Sequence, residues 1–209
     1  ECMLVDPDFN KILSATLEFC NERGYKAYHK RRHDGLMRNL IVRKGERTKE
    51  LLISIVTTTL ADFDDEAFKN MLLGLPLSNT IVGILHTYND NISDKVTCER
   101  LETIYGRDYY RESILGLQFN VSLYSFFQTN ISAVERLYTE ALEMIDDVEG
   151  KTVFDLYCGT GTITQALALK ARKAVGVEIV EDAVDAARAN AKLNGLDNCE
   201  FIAGDVLKV

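Results

Sequence analysis

The chain has 209 residues, is 46% hydrophobic and carries a formal charge of −8. That apolar share supports a sizeable core and excludes a disordered chain. The negative balance excludes a protein that grips nucleic acid by bulk electrostatics alone, so any such contact needs a local basic patch. No run of about 18 apolar residues is present, so no membrane-spanning helix is expected, and no basic start followed by an apolar stretch marks a secretory signal. Cys2, Cys20, Cys98, Cys158 and Cys199 form no CxxC pair and read as reduced thiols of a cytoplasmic protein. The first residue is Glu1 rather than Met, so the chain is expected to be cut from something longer.

Asp6-Pro7 reads as a helix opening, with Asp as cap and Pro at the first helical position. Phe9, Ile12, Leu13, Leu17 and Cys20 then share one face, and Gly24 supplies the stop. Arg38 to Arg43 and Glu50 to Thr58 are extended, the second rich in Ile, Val and Thr. A short helix from Asp64 to Leu73 ends at Gly74 and Pro76, and strands follow at Ile81–Thr87 and Gly116–Val121. This half reads as a small α+β domain with a mainly antiparallel sheet.

Near residue 125 the rhythm changes, which divides the chain into domains 1–125 and 126–209. Ser132 to Ile145 is a helix, with Ala133, Leu137, Ala141 and Met144 along one face. Thr152–Leu156 is a buried strand, Thr162–Arg172 a helix, Ala174–Glu178 a strand, Glu181–Leu193 a helix and Glu200–Ala203 a third strand. Strands separated by helices of this length predict a parallel sheet. A doubly wound domain needs roughly five to seven strands, so the sheet reads as unfinished.

The strongest local signal runs from Val153 to Thr164. A strand delivers Asp155 to its carboxyl end. Gly159 and Gly161 then let the backbone turn tightly and approach a ligand, and the following helix offers free amides. The next strand ends in Glu178, placed to accept from ribose hydroxyls, and Asp205 follows the third. A dinucleotide site needs a third glycine where Thr164 stands, and Asp155 would repel a pyrophosphate. An anion instead suits the amino-acid end of S-adenosylmethionine. The plainer alternative is a tight turn flanked by solvated acids.

Ser125-Phe126-Phe127-Gln128-Thr129-Asn130, Asp155–Thr164, Glu178 and Ala189–Gly195 together resemble the RNA (uracil-5) methyltransferase family, which methylates uridines in ribosomal and transfer RNA. The Phe-Phe-Gln-x-Asn stretch discriminates it from generic methyltransferases, and His33–Arg43 resembles the family's central domain. The resemblance implies an α/β chain: an α+β central domain followed by the first half of a Rossmann-like class I methyltransferase domain. It implies S-adenosylmethionine as cofactor, contacted by Gln128, Tyr157, Thr162, Glu178 and Asp205, with Asp155, Gly159 and Gly161 shaping the site. Tyr157 could equally be core packing. Ribosomal RNA is the expected substrate, ahead of transfer RNA.

In that family a cysteine thiolate adds to carbon 6 of uracil and a carboxylate base removes the carbon 5 proton. The resemblance places that cysteine beyond Val209, so this chain is expected to hold no catalytic residue and to be inactive by itself. Cys158 reads as a small filler rather than the nucleophile. Cys2 resembles the last ligand of a 4Fe–4S cluster found in some members, although one cysteine cannot hold a cluster. Between Lys26 and Lys49 stand nine Lys and Arg residues. Lys30, Arg31, Arg32 and Arg38 are candidate RNA contacts, against the alternative of a solvated strand edge. Other readings are a methyltransferase for a small molecule or protein, a non-catalytic RNA-binding module with a vestigial cofactor turn and, last, a dinucleotide oxidoreductase.

Overall fold

The structure, a computed structural model, describes residues 2–93, 96–145 and 148–208. Two compact units emerge: Glu1–Gly45 with Lys49–Tyr110, and Arg111–Val209 with Glu46–Thr48. The division thus falls upstream of the change of rhythm at residue 125.

The first unit opens with helix α1 (Pro7–Glu22), whose N-cap Asp6 accepts from the Asp8 amide at 2.9 Å. Strands β1 (Met37–Lys44) and β2 (Glu50–Thr57), helix α2 (Asp65–Leu73), and strands β3 (Thr80–Tyr88) and β4 (Arg100–Gly106) follow, paired in the order β1-β2-β3-β4. The sheet is mainly antiparallel, as expected, with one parallel pair at its centre. β2 and β3 run parallel because α2 intervenes as a crossover, while β1 and β4 flank them antiparallel. Ile12, Phe19 and Cys20 of α1 and Phe68 and Leu72 of α2 pack with Leu51, Ile53, Ile55 and Ile84 into one core. β4 was absent from the sequence reading because Arg100–Gly106 is almost wholly exposed and shows no apolar alternation.

In the second unit, hairpin β5 (Tyr109–Ile114) and β6 (Leu117–Ser122) leads into helix α3 (Ile131–Glu143). β5 was likewise missed, and its first two residues fall in the other unit. Next come β7 (Thr152–Leu156), α4 (Thr162–Ala168), β8 (Lys173–Glu178), α5 (Glu181–Leu193) and β9 (Cys199–Ala203). β7, β8 and β9 form a parallel sheet as expected. β7 is not buried, however. It is an edge strand among the described residues, and Phe154 and Leu156 are exposed.

α4 stops at Ala168 rather than Arg172, because the Asn198 side chain draws the carbonyls of Ala168 and Ala171 at 2.8 and 3.1 Å. α5 carries Asn190 and Asn194, whose amides satisfy the free edge of β6. The Asn120 amide donates to Asn190 Oδ1 at 2.9 Å and the Gln118 amide to Asn194 Oδ1 at 2.8 Å. That seam fixes the strand from which the segment Leu123–Asn130 departs. Among the described residues no helix is long and apolar enough to cross a membrane.

Candidate functional site

Parallel pairing sets the carboxyl ends of β7 and β8 side by side, with Leu156 opposite Val177 and Glu178 opposite Ala203. Above them opens a cleft of about 730 Å³, lined by the 122–128 segment, Tyr138 of α3, the β7–α4 turn and the β8–α5 turn. All of it lies within the second unit.

The Phe-Phe-Gln-x-Asn stretch divides its work by alternation. Phe127 is buried and its ring lies 5.8 Å from that of Phe119, which anchors the segment. Phe126 and Gln128 therefore face outward and line the cleft. Asn130 caps α3, accepting from the Ala133 amide at 3.0 Å. Gln128 has no hydrogen bond to a protein group among the described residues, so its amide is free for a ligand.

Asp155 is held by Thr164, whose hydroxyl donates to Oδ2 at 2.6 Å. Burial nevertheless keeps the Asp155 carboxyl above its ordinary range, with the Thr164 contacts opposing the rise only in part. Tyr157 is no core residue: it is 72% exposed, sits at φ +68° and lines the cleft. A left-handed tyrosine costs about 1–3 kcal/mol and points to a constrained site. Gly159 is also left-handed, and a Cβ there would meet nothing within 4 Å, so the turn is open toward the cleft. Glu178 lies across from it, its two oxygens accepting from the amides of Gly159 and Val180, each at 3.0 Å.

The cleft is acidic. Asp155, Glu178 and Asp182 line it, and no Lys or Arg stands among the described lining residues. Cys158 lies there too, but burial, followed by the charges of Asp155 and Glu178, pushes its thiol up to about 12. A thiol held that high carries little of the reactive thiolate at neutral pH.

Residues 147–209 match the family model described as a methyltransferase domain. An RNA methyltransferase of Clostridium tetani, described as uncharacterized, is 47% identical over 209 residues, covering 100% of this chain and 46% of the relative. One from Caldanaerobacter subterraneus is 50% identical over 208 residues, with the same coverages. The chain is thus similar over its whole length to curated RNA methyltransferases. It spans about half the length of the curated relatives it matches. The Pyrococcus abyssi tRNA (uracil-54, C5)-methyltransferase, solved with S-adenosyl-L-homocysteine, superposes with a TM-score of 0.82. It is 23% identical and covers 100% of this chain and 50% of that one. At that identity the likeness shows the fold: an α/β chain whose second part is Rossmann-like.

Within this methyltransferase scaffold, six of the eight cofactor candidates converge on the cleft: Gln128, Asp155, Tyr157, Gly159, Thr162 and Glu178. Two do not. Gly161 has φ +76° and packs inward, where a Cβ would lie 2.6 Å from the Phe201 ring and 2.9 Å from Ala187. It serves helix–sheet packing rather than ligand approach. Asp205 accepts from the Leu207 amide at 3.0 Å and pairs with Lys208 at 3.3 Å, outside the lining.

The other candidates lie in the first unit. Arg38 is committed to structure, donating to the carbonyls of Asn89, Asn91 and Ser93 at 2.9, 2.7 and 2.9 Å and stacking 4.3 Å over Tyr28. Arg32 pairs with Asp34 at 3.0 Å. Lys30 and Arg31 are exposed. Cys2 is exposed and its amide donates to Asn10; its neighbour Glu1 lies outside the described residues. Among the described residues no three His, Cys, Asp or Glu side chains are grouped to hold a metal.

Tyr138 was missed by the sequence reading. The face of α3 that carries Ala133, Leu137, Ala141 and Met144 lies outside, with Leu137 59% and Met144 81% exposed. The inner face is Ile131, Val134, Tyr138 and Leu142, equally regular at helical spacing. Choosing that phase would have found the tyrosine.

Proposed function

We propose that the whole protein methylates carbon 5 of uridine in RNA with S-adenosylmethionine, and that the cleft of this chain is the cofactor site. The acidity of the cleft carries the cofactor reading. Three carboxylates without a cation would repel a pyrophosphate, whereas a sulfonium carrying an α-ammonium is attracted. Asp155 faces the ammonium, Gln128 offers a donor and an acceptor, Gly159 admits the ligand backbone, and Glu178 keeps lone pairs for ribose hydroxyls. When bound, the cofactor supplies the methyl group. The Phe-Phe-Gln-x-Asn stretch supports the uracil-5 assignment, and the state of Cys158 supports a nucleophile drawn from another part of the protein.

The domain assignment 1–125 and 126–209 is retained in this reading, with the cleft assembled largely from the later part. Resemblance to the ribosomal type makes ribosomal RNA the proposed substrate, met in the cytoplasm, with Lys30, Arg31 and Arg32 touching phosphate. Calorimetry with S-adenosylmethionine and NAD tests the cleft: the first binds and the second does not, and the reverse result removes the reading. Full-length protein given ribosomal and transfer RNA tritiated at uridine carbon 5 releases tritium if carbon 5 is the target. Methyl incorporation without release assigns another atom.

A further inference from the structure

We propose that Tyr138 is a cofactor-binding residue whose hydroxyl donates to the carboxylate at the amino-acid end of the bound cofactor. The inference rests on the cofactor reading above and goes beyond it by adding a group on α3. Ile131 and Val134 of that helix are buried. Leu142, farther along the same face, packs with Val153 against Leu167, Ala168 and Ala174, near the start of β7. The helix therefore runs back along β7, which brings Tyr138 to the carboxyl end of the strand, where Asp155 stands. Both residues line the cleft.

The demand for such a donor comes from charge. An amino-acid end carries an ammonium and a carboxylate together. The cleft answers the ammonium with acids, but no described lining residue is Lys or Arg. The carboxylate must then be met by neutral donors, which form good hydrogen bonds to charged acceptors. Tyr138 supplies one. Its hydroxyl has no protein partner among the described residues, and it lies on the half-buried wall of the cleft. Burial, and then the charge of Asp155, push the phenol above its ordinary range, so it keeps its proton and stays a donor. A phenol has one proton to give, which suits one carboxylate oxygen.

Two ligands separate this role from a structural one. S-adenosylhomocysteine keeps the amino-acid end, and 5′-methylthioadenosine lacks it. Calorimetry on the unsubstituted protein and on Tyr138→Phe, which preserves the ring, is expected to show about tenfold weaker binding of the first ligand. Binding of the second should be unchanged. Equal loss for both ligands, or loss for neither, overturns the assignment while leaving the cofactor site standing. Failure of the unsubstituted protein to bind either ligand removes the cofactor reading and the inference with it. Thermal melts of both proteins confirm that the substitution leaves the fold intact.

Discussion

The amide of Gly159 donates to the carboxylate of Glu178 at 3.0 Å, so the acid that ends β8 also fastens the turn that follows β7. Its other oxygen fastens Val180 at the start of α5. One side chain thus ties together both loops of the proposed site before any ligand arrives.

Glu178→Ala is accordingly expected to act twice. It removes the proposed ribose acceptor, weakening S-adenosylmethionine by about ten- to a hundredfold (~1.5–3 kcal/mol), and it frees two amides. Glu178→Gln keeps one acceptor oxygen and should fall between. Calorimetry and a urea titration read the two effects separately. A variant that loses stability but binds normally would make Glu178 a structural clasp alone.

The two glycines of the turn should part company. Gly161→Ala drives a Cβ to 2.6 Å from the Phe201 ring at a left-handed φ, and is expected to destabilise the protein by about 2–4 kcal/mol. Gly159→Ala meets no atom within 4 Å and is expected to cost about 1 kcal/mol, yet to weaken the cofactor by placing a methyl group where the ligand passes. Denaturant midpoints and cofactor titrations on both variants decide it. Equal stability losses would contradict the division.

What the sequence displayed, and what it hid, follows from these same contacts. Thr152–Leu156 and Glu181–Leu193 were legible to the residue, because helices and parallel strands alternate with clear period and punctuation. β4 was not legible: its pairing comes wholly from β3, and of its side chains only Ile104 packs on the core. The parallel β2–β3 pair was hidden although α2 between them was read correctly. A crossover is a property of three elements together, which no one of them displays. Asp155, Gly159 and Glu178 were visible as strand-end and turn chemistry, whereas Gln128, Tyr157 and Thr162 came through the family resemblance. Tyr138 was not visible, because two faces of α3 carry similar apolar spacing and only packing chooses between them.

Cysteine reactivity tests the exclusion of Cys158. Cys2 and Cys98 are exposed, whereas Cys158 is buried with its thiol near 12. At pH 8 iodoacetamide should label Cys2 first and leave Cys158 unmodified in the folded protein, as read by peptide mass spectrometry. Rapid folded-state labelling of Cys158 would reopen it as a nucleophile.

The basic residues of the first unit should separate into two classes. Arg38→Ala strands three carbonyls and is expected to destabilise the protein by about 1–3 kcal/mol. Arg31→Glu should leave the melting temperature unchanged. It should weaken RNA uniformly across sequences and lower the salt slope by roughly 0.7–0.9 for each lost phosphate contact. Filter binding at several salt concentrations measures this. An unchanged slope would remove Arg31 from the RNA surface.

Asp155 gives a pH dependence whose sign is set by burial. Burial raises its folded-state carboxyl above the unfolded value of 3.8, despite the Thr164 hydroxyl at 2.6 Å. A group raised on folding contributes stability that is full below pH 3.8 and lost as pH climbs through its folded value. At pH 7 the ionised carboxylate is therefore a liability. Asp155→Asn keeps an oxygen for Thr164 and sheds the charge. It should melt above the parent at pH 7, and the gap should close as pH falls toward 3.8. The same variant should bind S-adenosylmethionine more weakly, having lost the anion proposed to face the ammonium. Greater stability with poorer binding is the signature of an acid retained for its ligand. A variant less stable at every pH would instead make Asp155 a structural partner of Thr164.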